Sequence, residues 1–152
     1  MEIEKITQSE IRDLIPHREP FLFIDELINI KKLNYATGIK TFSDKDEFFN
    51  GHFPEHPVVP GVILIEMMAQ TAAALIAFSI KNETFDKIVY LMNVESSKFR
   101  KPVFPNEKIF SNVKAIRSKG RVWRFEGEIV NMGNEKICEA IWSAMIMDKN
   151  NE

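Results

Sequence analysis

A histidine and a glutamate, His52 and Glu66, are the residues of this chain best suited to catalysis. His52 lies in a loop whose conformation is restricted by prolines at positions 54, 57 and 60. Glu66 is the only ionisable residue in the apolar run from Gly61 to Ile80, and burying a carboxylate is costly unless it is protonated or paired. An imidazole that titrates near neutral pH and a protonated carboxyl together could perform general acid–base catalysis. A subunit interface or a solvent-exposed helix end would also explain Glu66.

Two neighbours of Glu66 could support chemistry next to a carbonyl group. Gln70 follows Glu66 by four positions, on the same face of a helix, where it could hold the carboxyl in orientation. Gly61 opens that helix after Pro60, so the N–H groups of the first turn lack partners and can stabilise negative charge on an oxygen.

No metal or cofactor is expected. His52 and His56 are four positions apart, but Pro54 between them prevents the continuous helix that a zinc pair at this spacing would need. The chain also lacks the GxGxxG, GxSxG and GxxxxGKS/T patterns of nucleotide and acyl-enzyme sites. Proton transfers between His52, Glu66 and a substrate require no cofactor.

Length and composition predict a single domain over residues 1–152. With 45 % hydrophobic and 28 % charged residues, the chain can build one ordinary core. The net charge of −2 argues against a nucleic-acid partner. Cys138 is the only cysteine and no apolar signal segment is visible at the N-terminus, so we expect a cytoplasmic location.

The segments that would position these residues alternate between helix and strand patterns. A capping box at Thr7 and Glu10 predicts a short helix that ends before Pro16. The run 61–80 predicts one long helix, and its central Glu66 and Gln70 disfavour insertion into a membrane. Strand patterns cover 21–30, 35–42, 88–95, 109–116, 122–130 and 137–147, with turns between them, among them 84–87 and 132–134. An α+β fold with an antiparallel sheet curled around the helix would bury it on all sides.

Three segments resemble the signature motifs of the bacterial (3R)-hydroxyacyl acyl-carrier-protein dehydratases of type II fatty acid synthesis, the FabZ type. They are LIPHREPFLFIDEL, GHFPEHPVVPGVILIEMMAQ and KFRKPVFP, at 14–27, 51–70 and 98–105. The resemblance implies a hot-dog fold, in which a curled antiparallel sheet wraps around one long central helix. It also implies a hydro-lyase that converts a (3R)-3-hydroxyacyl thioester of acyl carrier protein into the trans-2-enoyl thioester and water.

The resemblance further implies roles for individual residues. His52 would remove the C2 proton, Glu66 would protonate the leaving hydroxyl, and the two would meet across a dimer interface. Gly61 would donate its N–H to the thioester carbonyl, and the carbonyl of Val58 would fix the tautomer of the His52 ring. A cis peptide bond between His52 and Phe53 is known in related enzymes. The implied assembly is at least a homodimer, extended in the family to a trimer of dimers.

Substrate contacts are predicted for two further sets of residues. An apolar acyl tunnel would be lined by Phe21, Phe53, Ile65, Met68, Ala69 and Phe99, each of which is equally well explained as plain core. An acidic carrier protein would dock on Lys98, Arg100 and Lys101, although charge runs often only face water. Glu55, Asn93, Glu95 and Asn106 stand at positions where the family often differs, and they leave the preferred acyl length open.

Three other functions stay open from the sequence. A related dehydratase also isomerises its product to the cis-3 form, but it typically carries Asp at the position of Glu66. An acyl thioesterase of the same fold would attack the thioester carbonyl with water, and the GHFP motif disfavours it. A non-catalytic acyl-binding module would need neither His52 nor Glu66, and the fold alone does not exclude it.

Overall fold

Within residues 3–80 and 87–148, which the structure describes, seven antiparallel strands form one sheet and one long helix packs against it. The structure is a computed structural model. Its strands are β1 (Ile3–Thr7), β2 (Glu26–Lys31), β3 (Tyr35–Thr41), β4 (Lys87–Phe99), β5 (Lys108–Lys119), β6 (Val122–Asn131) and β7 (Lys136–Asp148). Its helices are α1 (Gln8–Arg12) and α2 (Gly61–Ser79), with a 3-10 turn at Glu47–Asn50. The strand order across the sheet is β1-β2-β3-β5-β6-β7-β4.

The arrangement confirms the predicted α+β class and the hot-dog fold. Every neighbouring pair of strands is antiparallel, and α2 packs against β3, β5 and β6. By length and composition α2 could cross a membrane, but 67 % of its most apolar window is buried within the fold. The sheet therefore covers most of the surface that makes this helix so apolar.

The N-terminal region differs from the sequence prediction in two places. Residues 3–7 form β1, which pairs with β2, although their sequence pattern predicts no strand. Strand β2 begins at Glu26 rather than at Phe21, because the backbone around Phe23 bonds to the side chain of Gln70 instead of to a neighbouring strand. The capping box before α1 is present, since Thr7 and Glu10 each accept a hydrogen bond from the other's backbone N–H.

Two asparagines at positions where the family often differs, Asn106 and Asn93, lie in different backbone settings. Asn106 takes a positive φ of 69° in the turn before β5, as its tolerance of that conformation allows. Asn93 lies within β4, in the strand predicted at 88–95, beside an irregularity in the pairing with β7. The turn predicted at 84–87 lies outside the described residues, apart from Lys87, which begins β4.

Two glycines allow α2 to approach the sheet closely. A Cβ atom on Gly38, in β3, would collide with Oγ1 of Thr71, and one on Gly127, in β6, would lie 3.2 Å from the sulfur of Met68 on α2 as well as 2.9 Å from the ring of Trp142. Thr71 is fully buried and its hydroxyl donates a 2.8 Å hydrogen bond to the carbonyl of Met67. Its side chain therefore has little freedom to make room at Gly38.

Replacing Gly38 with alanine is expected to destabilise the protein by about 1–3 kcal/mol, the usual cost of overpacking a filled core. Thermal unfolding followed by circular dichroism would show the loss as a Tm several degrees lower. Gly51→Ala is the matched control, because nothing lies within 4 Å of a Cβ at that position and its φ of −110° suits any residue. Equal Tm values for the two variants would contradict the close approach of helix and sheet.

Candidate active site

The loop that carries His52 holds its imidazole in one orientation. The backbone N–H of His52 donates to Phe48 O at 3.0 Å, and the N–H of Val58 donates to His52 O at 3.0 Å. The ring atom Nδ1 lies 2.9 Å from the carbonyl oxygen of Val58. Because a carbonyl can only accept, Nδ1 carries the proton and Nε2 presents a lone pair. The ring also stacks on Phe53 at 4.1 Å between centroids, and the peptide bond between these two residues is cis.

Glu66 projects from the second turn of α2 and is mostly withdrawn from water. Its side chain is 22 % exposed, and burial raises the pKa of its carboxyl, although a hydrogen bond from Gln70 acts in the opposite direction. That bond joins Gln70 Nε2 to Glu66 Oε2 at 2.9 Å. A carboxyl with a raised pKa keeps its proton at higher pH than an exposed one, as a general acid requires.

Gln70 ties Glu66 to the loop before β2. Its side chain is 1 % exposed and makes three hydrogen bonds. Its oxygen accepts from the N–H of Phe23 at 2.8 Å, and its nitrogen donates to the carbonyl of Phe21 at 2.9 Å as well as to Glu66. The helical spacing of Glu66 and Gln70 therefore links the acid to the backbone at Phe21 and Phe23, which the sequence pattern could not indicate.

Replacing Gln70 with leucine is expected to destabilise the protein by about 2–4 kcal/mol. The change leaves the buried N–H of Phe23 and the partly buried carbonyl of Phe21 without their partner, and the loss of a buried partner costs about 1–3 kcal/mol. Urea unfolding would measure it as a lower midpoint at an unchanged slope. Gln8→Leu is the control, because Gln8 bonds Ile24 and Asp25 from a partly exposed position. A similar, small loss in both variants would mean that Gln70 is not the main tie of this loop.

The start of α2 lies at a groove of about 430 Å³. Pro60 precedes the helix and forms no side-chain cap, so the N–H groups of Gly61 and Val62 have no partner within the helix. A Cβ atom on Gly61 would lie 2.8 Å from the ring of Phe99, which shows that glycine lets this ring rest against the helix start. The groove is lined by Val59, Gly61, Leu64, Phe99, Arg100, Lys101, Pro102 and Val103.

The six residues predicted to line an acyl tunnel fall into two groups. Phe21, Phe53 and Phe99 are each about half exposed, at 49–50 %, and Ile65 and Ala69 are partly buried on α2. Met68 is 0 % exposed and belongs to the core. Its sulfur faces Gly127 on the sheet, because two helical positions place it on nearly the opposite side of α2 from Glu66.

The three predicted carrier-protein cations are exposed, but two of them are already paired. Arg100 lies 3.0 Å from a carboxyl oxygen of Glu139, and Lys101 lies 2.8 Å from one of Glu135. The pKa of Glu139 is lowered by a hydrogen bond from Lys136, which has the largest effect, and by one from Arg100. The pKa of Glu135 is lowered mainly by a hydrogen bond from Lys101. The sequence run KFRK does not reveal these partners, which come from β7 and from the turn before it.

One residue near Glu66 receives no role in the sequence analysis. His17, in the loop before β2, places its Nε2 atom 3.6 Å from Glu66 Oε2. The only sequence signal for it is its place within the first motif, LIPHREPFLFIDEL.

His52 and Glu66 do not bond to each other within one chain. In the described part of the chain no hydrogen bond or ion pair joins them: the side chain of His52 bonds to Val58 and that of Glu66 to Gln70. A larger concavity of about 610 Å³ on the sheet contains neither of them. The described residues contain no group of three or more His, Cys, Asp or Glu that could hold a metal ion.

Comparison with known proteins identifies the family of the chain and its fold. Residues 15–141 match the family model described as a FabA-like domain. The chain is 44 % identical over 141 residues to a protein of Rhodospirillum rubrum named 3-hydroxyacyl-(acyl-carrier-protein) dehydratase FabZ, covering 93 % of this chain and 88 % of the relative. A protein of the same name from Gluconobacter oxydans is 44 % identical over 147 residues, covering 97 % and 83 %. A chain of the dehydratase heterocomplex ApeI:P from Xenorhabdus doucetiae superposes with a TM-score of 0.77 at 18 % identity over 92 % of both chains, which shows the shared fold.

Proposed function

The chain belongs to the FabA-like family and is a hydro-lyase of fatty acid biosynthesis that dehydrates 3-hydroxyacyl groups on acyl carrier protein, and we propose that His52 and Glu66 carry out this reaction. The observation that carries the proposal is the state of Glu66. It is the one ionisable residue of the long apolar helix, its pKa is raised by burial, and Gln70 holds one of its oxygens. Such a carboxyl is suited to give a proton to a leaving group.

The first step is removal of a proton from C2 of the (3R)-3-hydroxyacyl thioester. Nε2 of His52 is the base, because its other nitrogen is committed to the carbonyl of Val58. As the C2–H bond breaks, negative charge develops on the thioester oxygen. The N–H of Gly61 at the start of α2 donates to that oxygen, where an unpaired helix-terminal amide is most effective.

The second step is loss of the 3-hydroxyl group as water. Glu66 gives its proton to the oxygen, the C3–O bond breaks with its electron pair, and the pair from C2 forms the trans-2 double bond. One proton has moved to His52 and one has left Glu66, so a net proton transfer from His52 to Glu66 resets the enzyme. Every step is a proton transfer or an elimination, and none requires a cofactor.

The site is assembled from two copies of the chain. No hydrogen bond or ion pair joins His52 and Glu66 within one chain, whereas the outer edge of β4 offers a surface for a second copy. In the described residues β4 pairs on one side with β7 and is the last strand of the sheet. Its exposed apolar residues include Leu91, Met92 and Val94, and a long apolar edge strand is a template for pairing. Joining two β4 edges gives a homodimer with two equivalent sites, and the family resemblance extends this to a trimer of dimers.

The groove at the start of α2 fits the path of the carrier-bound substrate. It brings the N–H of Gly61, the ring of Phe99 and the cations Arg100 and Lys101 to one place. An acidic carrier protein docked on Lys98 and on these two cations, in place of their partners Glu139 and Glu135, would deliver its thioester to Gly61. The acyl chain would then lie along the half-exposed rings of Phe21, Phe53 and Phe99, with Ile65 and Ala69 beneath them. The reaction takes place in the cytoplasm, where a single buried thiol such as Cys138 stays reduced.

The direct test follows the absorbance of the enoyl thioester when the wild-type protein meets a 3-hydroxyacyl carrier-protein substrate. We expect a double bond to form reversibly, without added metal or nucleotide. Release of a free carrier-protein thiol, detected with a thiol reagent, would instead indicate a thioesterase. Tight binding with neither product would leave an acyl-binding module.

A further inference from the structure

His17 contacts the proposed acid, although the mechanism above does not use it. Its Nε2 atom lies 3.6 Å from Oε2 of Glu66, and the two side chains are 21 % and 22 % exposed. Gln70 donates to the same oxygen at 2.9 Å. Two nitrogen atoms from different elements, the loop before β2 and helix α2, thus converge on one oxygen of the carboxyl.

The imidazole of His17 is uncharged in this contact, so the contact is not an ion pair. Burial lowers the pKa of His17, and the positive charge of the adjacent Arg18 lowers it further. Burial raises the pKa of Glu66. Among the described residues Arg18 is the charged group that acts on this pair, and its guanidinium is held by the backbone carbonyls of Arg12, Ile15 and His17. Near neutral pH the imidazole is therefore uncharged and carries one N–H.

The surroundings of the ring decide which nitrogen carries that hydrogen. Nδ1 of His17 is buried and has no hydrogen-bond partner among the described residues. A buried N–H without an acceptor is rarer in proteins than a buried acceptor without a donor. The hydrogen therefore lies on Nε2, directed at Glu66 Oε2. The separation of 3.6 Å is longer than a hydrogen bond, and such contacts in unliganded sites commonly shorten when substrate binds.

We propose that His17 is a positioning residue that acts with Gln70 to confine the acidic proton of Glu66 to Oε1. An oxygen that faces two N–H donors cannot also hold the proton between them, so the proton resides on the other oxygen. In the described residues no donor bonds to Oε1, which leaves it to meet the substrate hydroxyl. The inference rests on the proposed function of Glu66 as the acid, and it adds which oxygen acts and what selects it.

The test compares His17→Leu, which removes the donor, with His17→Gln, which keeps an N–H of similar reach. A 3-hydroxyacyl N-acetylcysteamine thioester serves as substrate, so that carrier-protein docking does not enter. For His17→Leu we expect kcat to fall about tenfold with KM little changed. The decrease of kcat on the alkaline side of its pH profile should occur at higher pH, because the N–H of His17 no longer stabilises the carboxylate of Glu66. His17→Gln should recover most of kcat and the wild-type pH profile, and His56→Gln, at an exposed histidine, is the control.

A second measurement does not depend on turnover. The ¹³C chemical shift of the Glu66 carboxyl, titrated in the unliganded protein, should show a higher pKa in His17→Leu and a near wild-type value in His17→Gln. The proposal would be overturned if His17→Leu changed neither the pKa of the Glu66 carboxyl nor the alkaline side of the kcat–pH profile. It would also be overturned if His17→Gln lost as much kcat as His17→Leu. If wild-type protein forms no enoyl product, the proposed function fails instead, while the carboxyl titration still decides whether His17 acts on Glu66.

Discussion

Replacing Glu66 with glutamine is expected to lower kcat by about 10²- to 10⁴-fold, the range that general acid catalysis usually contributes. Glutamine has nearly the same shape and can still accept the hydrogen bond from Gln70, but it cannot release a proton to the substrate hydroxyl. The measurement is the rate of enoyl-thioester formation under saturating substrate. Glu26→Gln is the control, because Glu26 pairs with Lys5 at 2.6 Å and lies in β2, towards the opposite end of the sheet from β4.

The same variant separates the chemical role of Glu66 from a structural one. Because folding raises the pKa of Glu66, the folded state holds a proton that the unfolded state releases as pH rises. As pH rises from the ordinary pKa of a glutamate to the raised pKa of Glu66, the free energy of unfolding therefore decreases. Above the raised pKa this loss of stability stays constant. Glu66→Gln should unfold at a Tm equal to or above that of the wild type, with a difference that grows as pH increases over this window. Wild-type turnover, or a large loss of stability at high pH, would remove Glu66 from the proposed role.

Local patterns in the sequence were sufficient for the parts of the fold that depend on neighbouring residues. The apolar run at 61–80 predicts α2 to within one residue, and the capping box at Thr7 is present. Strand β1 was missed because its pairing with β2 is a long-range contact that no local periodicity records. The backbone at 21–25 has strand composition, yet Gln70 takes the hydrogen bonds of Phe21 and Phe23.

The candidate site also combines features that neighbouring residues determine with features that depend on long-range contacts. The types and spacing of His52, Glu66 and Gln70 are visible in the chain, because a lone carboxyl in an apolar helix needs a reason to be there. The acids that neutralise Arg100 and Lys101 and the approach of His17 to Glu66 arise from residues far apart in sequence. Such contacts depend on the register of strands and on the path of loops, which composition does not specify.

His52→Ala is likewise expected to lose about 10²- to 10⁴-fold in kcat, since the base would be absent, and its combination with Glu66→Gln tests how the site is built. If each site takes His52 from one subunit and Glu66 from the other, a mixed dimer has one site with both residues intact and one with neither. Equal co-expression makes half of the dimers mixed, so activity should return to about one quarter of the wild-type value in a twofold-symmetric assembly. Each variant alone remains nearly inactive.

This recovery does not depend on whether dimers associate further, because only pairing within a dimer completes a site. The control is co-expression of His52→Ala with a chain that carries both substitutions, which leaves no intact site in any dimer. An inactive mixture of the two single variants, with mixed dimers verified by different affinity tags, would mean that His52 and Glu66 act within one chain. The β4 edge would then need another role, and the two side chains, which share no hydrogen bond or ion pair in the folded chain, would have to act together when substrate binds.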